Sequence, residues 1–320
     1  MKIQNKKLKI LNKAQKLFTN SPVVDIMYEF DGHVKHVYTQ LEWYSLSGSI
    51  KDRVAYQIFC NAIKKNQINS NTKVVEVSSG NMGISVCAIA NLLHLDTTII
   101  MPKFMSEERK KLIKLFGAKL ALVDSFIDAF KLCEEYEKNG YFCPHQFENQ
   151  SNVLAHYSMT GKELYSKIKN KKVQSFVSGI GTSGTLMGAG KYLKDKMNLK
   201  VIALEPKNAP ILTKSAPLKK HAIQGLSDEI VPKIYDENLV DEIIQIEDND
   251  AIAMSQKLCK ELSLGVGISS GANFLGCVLS GTNAVTTFAD SNKKYLSTNL
   301  SQNVESKLVD KIKLISIEVV

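Results

Sequence analysis

Arginine is almost missing from this sequence: of 41 basic residues only Arg53 and Arg109 carry a guanidinium, and the lysines behind the formal net charge of +9 are scattered. A nucleic-acid surface needs clustered cations and the planar arginine fork. The charge therefore reads as a solvated lysine-rich surface, and no nucleic-acid partner is expected. No apolar run approaches the roughly 18 residues that span a bilayer, so no membrane partner is expected either. The N-terminal stretch MKIQNKKLKILNKAQKLF is basic and faintly amphipathic. It lacks an apolar signal core and a small-residue cleavage site, which reads as a mature cytoplasmic start. The six cysteines (Cys60, Cys87, Cys133, Cys143, Cys259, Cys277) form no CxxC pair and read as small buried hydrophobes of a reducing compartment. The six histidines show no HExxH spacing, and no metal is expected.

What is present is ordinary for a soluble globular chain: 320 residues, 44% hydrophobic and 23% charged, enough for two domains or one large one. Val37, Thr39, Leu41 and Trp43 alternate as a strand. Val54, Ala55, Ile58, Phe59, Ala62 and Ile63 then recur at helical spacing, so Lys51 in SLSGSIKDR stands at a helix start. Strands and helices alternate from there. KVVEV (73–77), TTIIM (97–101) and AKLALV (118–123) read as strands, with helices over 83–95, from Ser106 to Phe116 and over 126–139. A second series follows: a helix over about 151–168, the strand in VQSFVSGIG, the helix TLMGAGKYLKDKM and the strand KVIALEP. The pattern predicts α/β layers around mostly parallel sheets. No low-complexity linker or internal repeat intervenes. The boundary is expected near 145–150, giving a smaller domain over 46–148 and a larger one from 1–45 plus 149–320.

Three loops lie at strand-to-helix junctions, where open α/β sheets place ligands. The first carries Lys51 behind the flexible Ser47-Gly48-Ser49 turn. The second, SSGNMG (78–83), offers hydroxyls, backbone amides and the Asn81 side chain to a carboxylate, although a plain turn uses the same residues. The third, GIGTSGT (179–185), combines close-approach glycines with the hydroxyls of Thr182, Ser183 and Thr185, a set suited to one phosphate dianion. It also matches G-x-G-x-x-G through Gly179, Gly181 and Gly184, with Glu205 at the end of the next strand, which is a dinucleotide fingerprint and would suit an NAD-dependent dehydrogenase. That reading leaves Lys51 and the Ser-Gly-Asn loop without roles. An amine, a carboxylate grip and a phosphate cup together suit pyridoxal phosphate acting on an amino acid.

With these motifs in order, the chain resembles the cysteine synthase/cystathionine β-synthase family of fold-type II pyridoxal-phosphate enzymes. The resemblance runs through SPVVDI, LEWYSLSGSIKDR, SSGNMGIS, HQFENQSNVLAHYSMTGKEL, GIGTSGTLMGAGKYLK, IQGLSDEIVP, GVGISSGANF and ADSNKKYLST, and so covers nearly the whole chain. It implies two three-layer α/β domains of the tryptophan synthase β-like kind, a homodimer and pyridoxal 5'-phosphate as cofactor. It also implies β-replacement or β-elimination on a small L-amino acid through an aminoacrylate. Lys51 would be the Schiff-base lysine and general base. Asn81 would bond the cofactor's ring oxygen, Gly181, Thr182, Ser183, Gly184 and Thr185 would hold its phosphate, and Ser269 rather than Ser270 would face the pyridine nitrogen. Ser78, Ser79, Asn81 and Gln146 would bind the substrate carboxylate, and Gly225 would border the substrate.

Two departures bear on chemistry. Met82 stands where the family usually has a hydroxyl residue, which puts one carboxylate contact in doubt and leaves room for a weakened, binding-only relative. After Gly225 the chain carries Asp228 and Glu229 where many cysteine synthases have small or apolar residues. They read either as solvent-facing acids or as a carboxylate, Asp228 first, that activates water or a thiol or grips a second amino acid. The activity implied is therefore cysteine synthesis from O-acetylserine and sulfide, or consumption of L-cysteine with release of hydrogen sulfide and addition of water or a thiol. A cystathionine- or lanthionine-type synthase using a thiol amino acid is the alternative.

Overall fold

The computed structural model describes residues 2–227 and 230–320, residues 2 and 3 by their backbone alone. Helix α1 (Lys2–Ala14) precedes a hairpin of β1 (Val23–Phe30) and β2 (His33–Leu41). Phe30 pairs with His33 across Asp31 and Gly32, whose φ values of 48° and 76° suit the two-residue turn that Asp-Gly favours. Helix α2 (Lys51–Lys64) then leads into β3 (Val74–Val77), α3 (Asn81–Leu92), β4 (Thr97–Pro102), α4 (Glu107–Leu115), β5 (Lys119–Val123) and α5 (Phe126–Lys138). The three strands form a parallel sheet in the order β3-β4-β5. β3 and β4 are buried at every position, which is why they are mostly valine, isoleucine and threonine, with Glu76 the one charged residue among them, while β5 at the edge is half-exposed.

The chain continues through α6 (Gln150–Ala155), α7 (Lys162–Ile168), β6 (Ser175–Gly179), α8 (Gly184–Lys196), β7 (Lys200–Pro206), β8 (Glu242–Ile246), α9 (Asp248–Leu262), α10 (Ile268–Leu279), β9 (Ala284–Phe288) and β10 (Lys313–Val319). With β1 and β2 these strands build a second sheet in the order β10-β1-β2-β9-β6-β7-β8. It is parallel from β2 to β8 and antiparallel at the β10-β1-β2 edge. The fold is the α/β class with mostly parallel sheets that the alternation predicts. The helix expected over 151–168 differs in one respect, because His156–Gly161 winds as a wider π turn between α6 and α7. That turn carries a fully buried His156, whose ring meets Thr160 at 3.0 Å and Thr185 at 3.3 Å. Among the described residues no helix is long and apolar enough to cross a membrane.

Helix α1 departs from the expectation that residues 1–45 pack with the second half. Leu11, Ala14 and Phe18 recur at helical spacing, and they join the core around α2, α3 and the three-stranded sheet. The hairpin β1–β2 belongs to the larger sheet, so the N-terminal segment serves both layers.

Two buried charges set the start of α2. Asp52 accepts hydrogen bonds from the Ser47 amide at 2.7 Å and the Ser47 hydroxyl at 2.5 Å, closing the turn before the helix. Arg53, with no solvent exposure, donates from Nε and Nη2 to Glu42 at 2.8 and 3.1 Å, and from Nη1 and Nη2 to Glu163 at 2.9 and 2.8 Å. Burial pushes the Glu42 carboxyl up, and the guanidinium opposes it. A buried pair of this kind adds little over a well-packed apolar isostere, but removing one partner strands the other charge. Arg53→Ala should therefore lower unfolding free energy by about 3–5 kcal/mol in urea titrations. Arg53→Lys, which keeps the charge without the fork, should recover only part of that. A loss below about 1 kcal/mol, as for an exposed pair, would contradict the assignment.

Candidate active site

The three loops converge on a single cavity, which sits at the C-terminal ends of β3, β6 and β9. Lys51 lines it from the first position of α2, and Ser78, Ser79, Asn81 and Met82 line it from the loop that opens α3. Gln146, the run Gly181 to Thr185, Gly225 and Ser269 complete the set placed together. Asp228 and Glu229 lie outside the described residues.

Within the second loop the side chains divide their work. The Ser78 oxygen accepts from the amides of Gly80 at 3.0 Å and Gly83 at 2.8 Å, so it braces the start of α3 and has only its hydroxyl hydrogen left to offer. Gly80 adopts φ 152°, and a Cβ there would lie 2.2 Å from Arg109 Cδ, so no other residue fits. Asn81 donates to Asp290 at 2.7 Å and accepts from Lys294 at 3.0 Å, which fixes the amide and leaves one N–H for a ligand. Gln146 donates to the Val77 carbonyl at 3.0 Å and is held across the same loop.

The third loop turns into α8 through Ser183, which sits at φ 68°, an unusual place for a residue with a side chain. Its buried hydroxyl has no hydrogen-bond partner among the described residues. The first-turn amides of α8 lack intrahelical acceptors, as at any helix start. With Thr182 and Thr185 alongside, this donor set suits a phosphate without any cation in the loop. Gly184 also has a reason within the protein. A Cβ there would lie 1.9 Å from Asn152 Oδ1, so the glycine makes room for Asn152. Asn152 donates to the Gln146 carbonyl and the Thr182 hydroxyl, both at 2.9 Å, and thereby ties the two ligand loops together.

The dinucleotide fingerprint does not survive. Glu205 is fully buried, and its carboxylate accepts from the Leu212 amide at 2.8 Å, Thr213 at 2.5 Å and Gln245 at 3.0 Å. No ribose hydroxyl can reach an acid already satisfied by its own chain. Ser270 is likewise occupied, accepting from the Ala289 amide at 3.1 Å, which leaves Ser269 as the serine on the cavity wall.

Sequence reasoning missed Asn152, Asn273 and the network behind Asn81. Asn273 accepts from the Gly179 amide and donates to the Thr287 carbonyl, both at 2.8 Å, pinning the ends of β6 and β9. Arg109, 1% exposed, stacks 4.4 Å from the Tyr295 ring centroid and donates to Gln224, and its guanidinium lies 3.8 Å from Asp290. Tyr295 also donates to Asp290 at 2.8 Å. Burial brings the Lys294 ammonium down to about 8 against the pull of Asp290. A signal was available: a chain that spends arginine twice buries it both times, next to its ligand loops.

Known proteins resemble this chain over most of its length. The family described as "Pyridoxal-phosphate dependent enzyme" matches residues 15–286. A cysteine synthase of Staphylococcus aureus is 33% identical over 303 residues, covering 91% of this chain and 97% of its own. Cysteine synthase B of Campylobacter jejuni is 36% identical, covering 92% and 99%. Among solved structures, a hydrogen sulfide-producing enzyme from Fusobacterium nucleatum superposes with a TM-score of 0.92 at 38% identity, covering 98% of this chain and 99% of that one. An aspartate-to-asparagine mutant of that enzyme, complexed with an α-aminoacrylate intermediate, gives 0.93.

His156 supplies a pH test. Burial, and then the charges of Lys51 and Arg53, hold its imidazole well below the ordinary range, so it stays neutral in the folded protein. In the unfolded chain it takes a proton below about pH 6.5, so this residue's contribution to stability falls as pH drops through that value. His156→Gln removes the effect. The stability gap between wild type and variant should narrow from pH 7 to 5.5, and a constant gap in denaturant titrations would contradict a buried neutral His156.

Proposed function

The chain belongs to the pyridoxal-phosphate dependent enzyme family, and from that premise we propose that it carries out β-replacement or β-elimination on a small L-amino acid, releasing hydrogen sulfide from L-cysteine. The observation that carries the reading is the cavity that joins Lys51 to a carboxylate loop and a phosphate cup. The residues fit the cofactor, since the orphaned Ser183 hydroxyl and the first turn of α8 await an acceptor of several strong hydrogen bonds. Bound pyridoxal phosphate supplies an electron sink that weakens the Cα–H bond and the bond to a β-substituent.

The protein's own groups do the rest. Thr182, Ser183, Thr185 and the amides around Gly181 and Gly184 would hold the phosphate, and Asn81 the ring oxygen. Ser269 would face the pyridine nitrogen. A neutral hydroxyl there does not keep that nitrogen protonated, which favours loss of a β-substituent over transamination. Ser79, Asn81 and Gln146 would orient the substrate carboxylate, with Ser78 holding their loop in shape. Met82 contributes an apolar wall in place of one more donor. Lys51 would hold the cofactor and carry the proton between Cα and its Nζ. Asp228 would take the proton of the incoming water or thiol.

Similarity to the Fusobacterium hydrogen sulfide-producing enzyme at 38% identity over nearly both chains supports release of hydrogen sulfide, for which L-cysteine is the small amino acid that carries the sulfur. The cysteine synthases at 33% and 36% identity favour a second reading, O-acetylserine with sulfide. A homodimer in the cytoplasm, with the domain limits given above, belongs to the same proposal.

Lys51→Ala should abolish turnover. Borohydride treatment of the wild type should leave a pyridoxyl label on the peptide containing Lys51, as read by mass spectrometry, and a label elsewhere would remove the reading. Asp228→Asn keeps the shape and removes the base. Hydrogen sulfide should still leave L-cysteine, while the replacement product falls by roughly 10²–10⁴-fold in favour of pyruvate. Replacement at the wild-type rate would make Asp228 a surface acid.

A further inference from the structure

Beside the catalytic cavity lies a second one of about 240 Å³, lined among others by Glu76, Cys133, Glu137, Cys143 and His145. Cys133 and Glu137 stand one turn apart on the same face of α5, and Cys143 meets them from the segment that follows. The ligand atoms of Cys133, Glu137 and Cys143 all lie within 4.8 Å of one another, and the two sulfurs are 3.3 Å apart. His145 holds the Glu137 carboxylate from outside, with Nε2 at 2.6 Å.

An independent feature points to a cation. Glu76, on β3 and 2% exposed, lines the same cavity, and its Oε2 has no hydrogen-bond partner among the described residues. A buried carboxylate oxygen without a donor is costly. A positive ion in the cavity would relieve it.

We propose that this cluster is a zinc site, with Cys133 and Cys143 binding as thiolates and Glu137 through one carboxylate oxygen. Two sulfurs with one oxygen select a borderline-soft ion with tetrahedral habits over magnesium or calcium, which take oxygen ligands. His145 orients the carboxylate, and water takes the remaining position. The ion would clamp α5 to the segment that runs through His145 into Gln146. Since Gln146 lines the catalytic cavity and bonds the Val77 carbonyl, the metal would fix that wall of the active site.

The test uses the full, reduced chain, stripped with a chelator and titrated with Zn²⁺ or Co²⁺. Elemental analysis should find one zinc per chain, zinc should raise the unfolding temperature, and cobalt should give thiolate-to-metal absorption. Cys133→Ser with Cys143→Ser should abolish binding, Glu137→Gln should weaken it, and His145→Ala should weaken it by about 10–100-fold. Cys60→Ser should leave it unchanged. If the double variant fails to fold, cobalt absorption in wild type and the Glu137→Gln titration decide the matter. Absence of stoichiometric metal on the wild type would overturn the proposal. Equal binding by a folded double variant would do so too, as would a Cys133–Cys143 disulfide forming in air equally fast with and without zinc, which would make the pair a redox couple instead.

Discussion

A guanidinium buried between two carboxylates holds the reactive end of this protein in place. Arg53 reaches Glu42 just beyond β2 and Glu163 on α7, so one side chain joins the large sheet, the π-turn helix pair and the start of α2. Gln40 adds a further bond to Glu163 at 2.8 Å. Lys51 lies two residues before that anchor and one before Asp52, whose carboxylate closes the turn onto Ser47. The Ser-Gly-Ser turn is thereby closed onto the helix start, and the Lys51 backbone is fixed at the edge of the cavity. A lysine on an unanchored loop would lose the positioning that proton transfer demands.

Much of this was legible in the chain. Strands β3, β4 and β6 are short β-branched or apolar runs, the helices between them carry a helical period, and each junction loop announces itself with glycine and hydroxyl residues. Lys51 as the first residue of α2 follows from the apolar spacing after it. What could not be read was how side chains turn within those loops. Ser78 turns its oxygen onto its own loop, Gly184 accommodates Asn152, and Glu205 accepts from residues seven and eight places on, because the partner a single side chain selects leaves no periodic trace. The π turn at His156 was hidden for the same reason, since a wider turn changes the helical period by too little to show in six residues.

The wall behind Asn81 shows how far the site extends beyond the groups that touch a ligand. Arg109 from α4, Asp290 and Tyr295 from the segment after β9, and Lys294 beside them form a buried polar group with alternating charge. It couples the small sheet's helices to the large sheet at the point where the substrate loop sits. Buried charges of this kind are costly unless each finds a partner, so the loops they hold tolerate few arrangements. Asn152 and Asn273 perform the neutral version of the task from the other side, each bridging two segments that line the cavity. Specific orientation of Asn81, Gln146 and Thr182 is thus a property of the assembled core.

The central claim, that a lysine-anchored pyridoxal-phosphate site exchanges a β-substituent, is tested most directly by following both halves of the exchange together. Purified protein loaded with pyridoxal phosphate is given L-cysteine in ¹⁸O-labelled water, with and without an added thiol, and sulfide and amino-acid products are quantified by mass spectrometry. The account predicts sulfide release matched by the sum of β-substituted alanine, either ¹⁸O-serine or the thioether of the added thiol, and pyruvate from elimination. Cysteine recovered unchanged with no sulfide, while O-acetylserine and sulfide also fail to give cysteine, would contradict it.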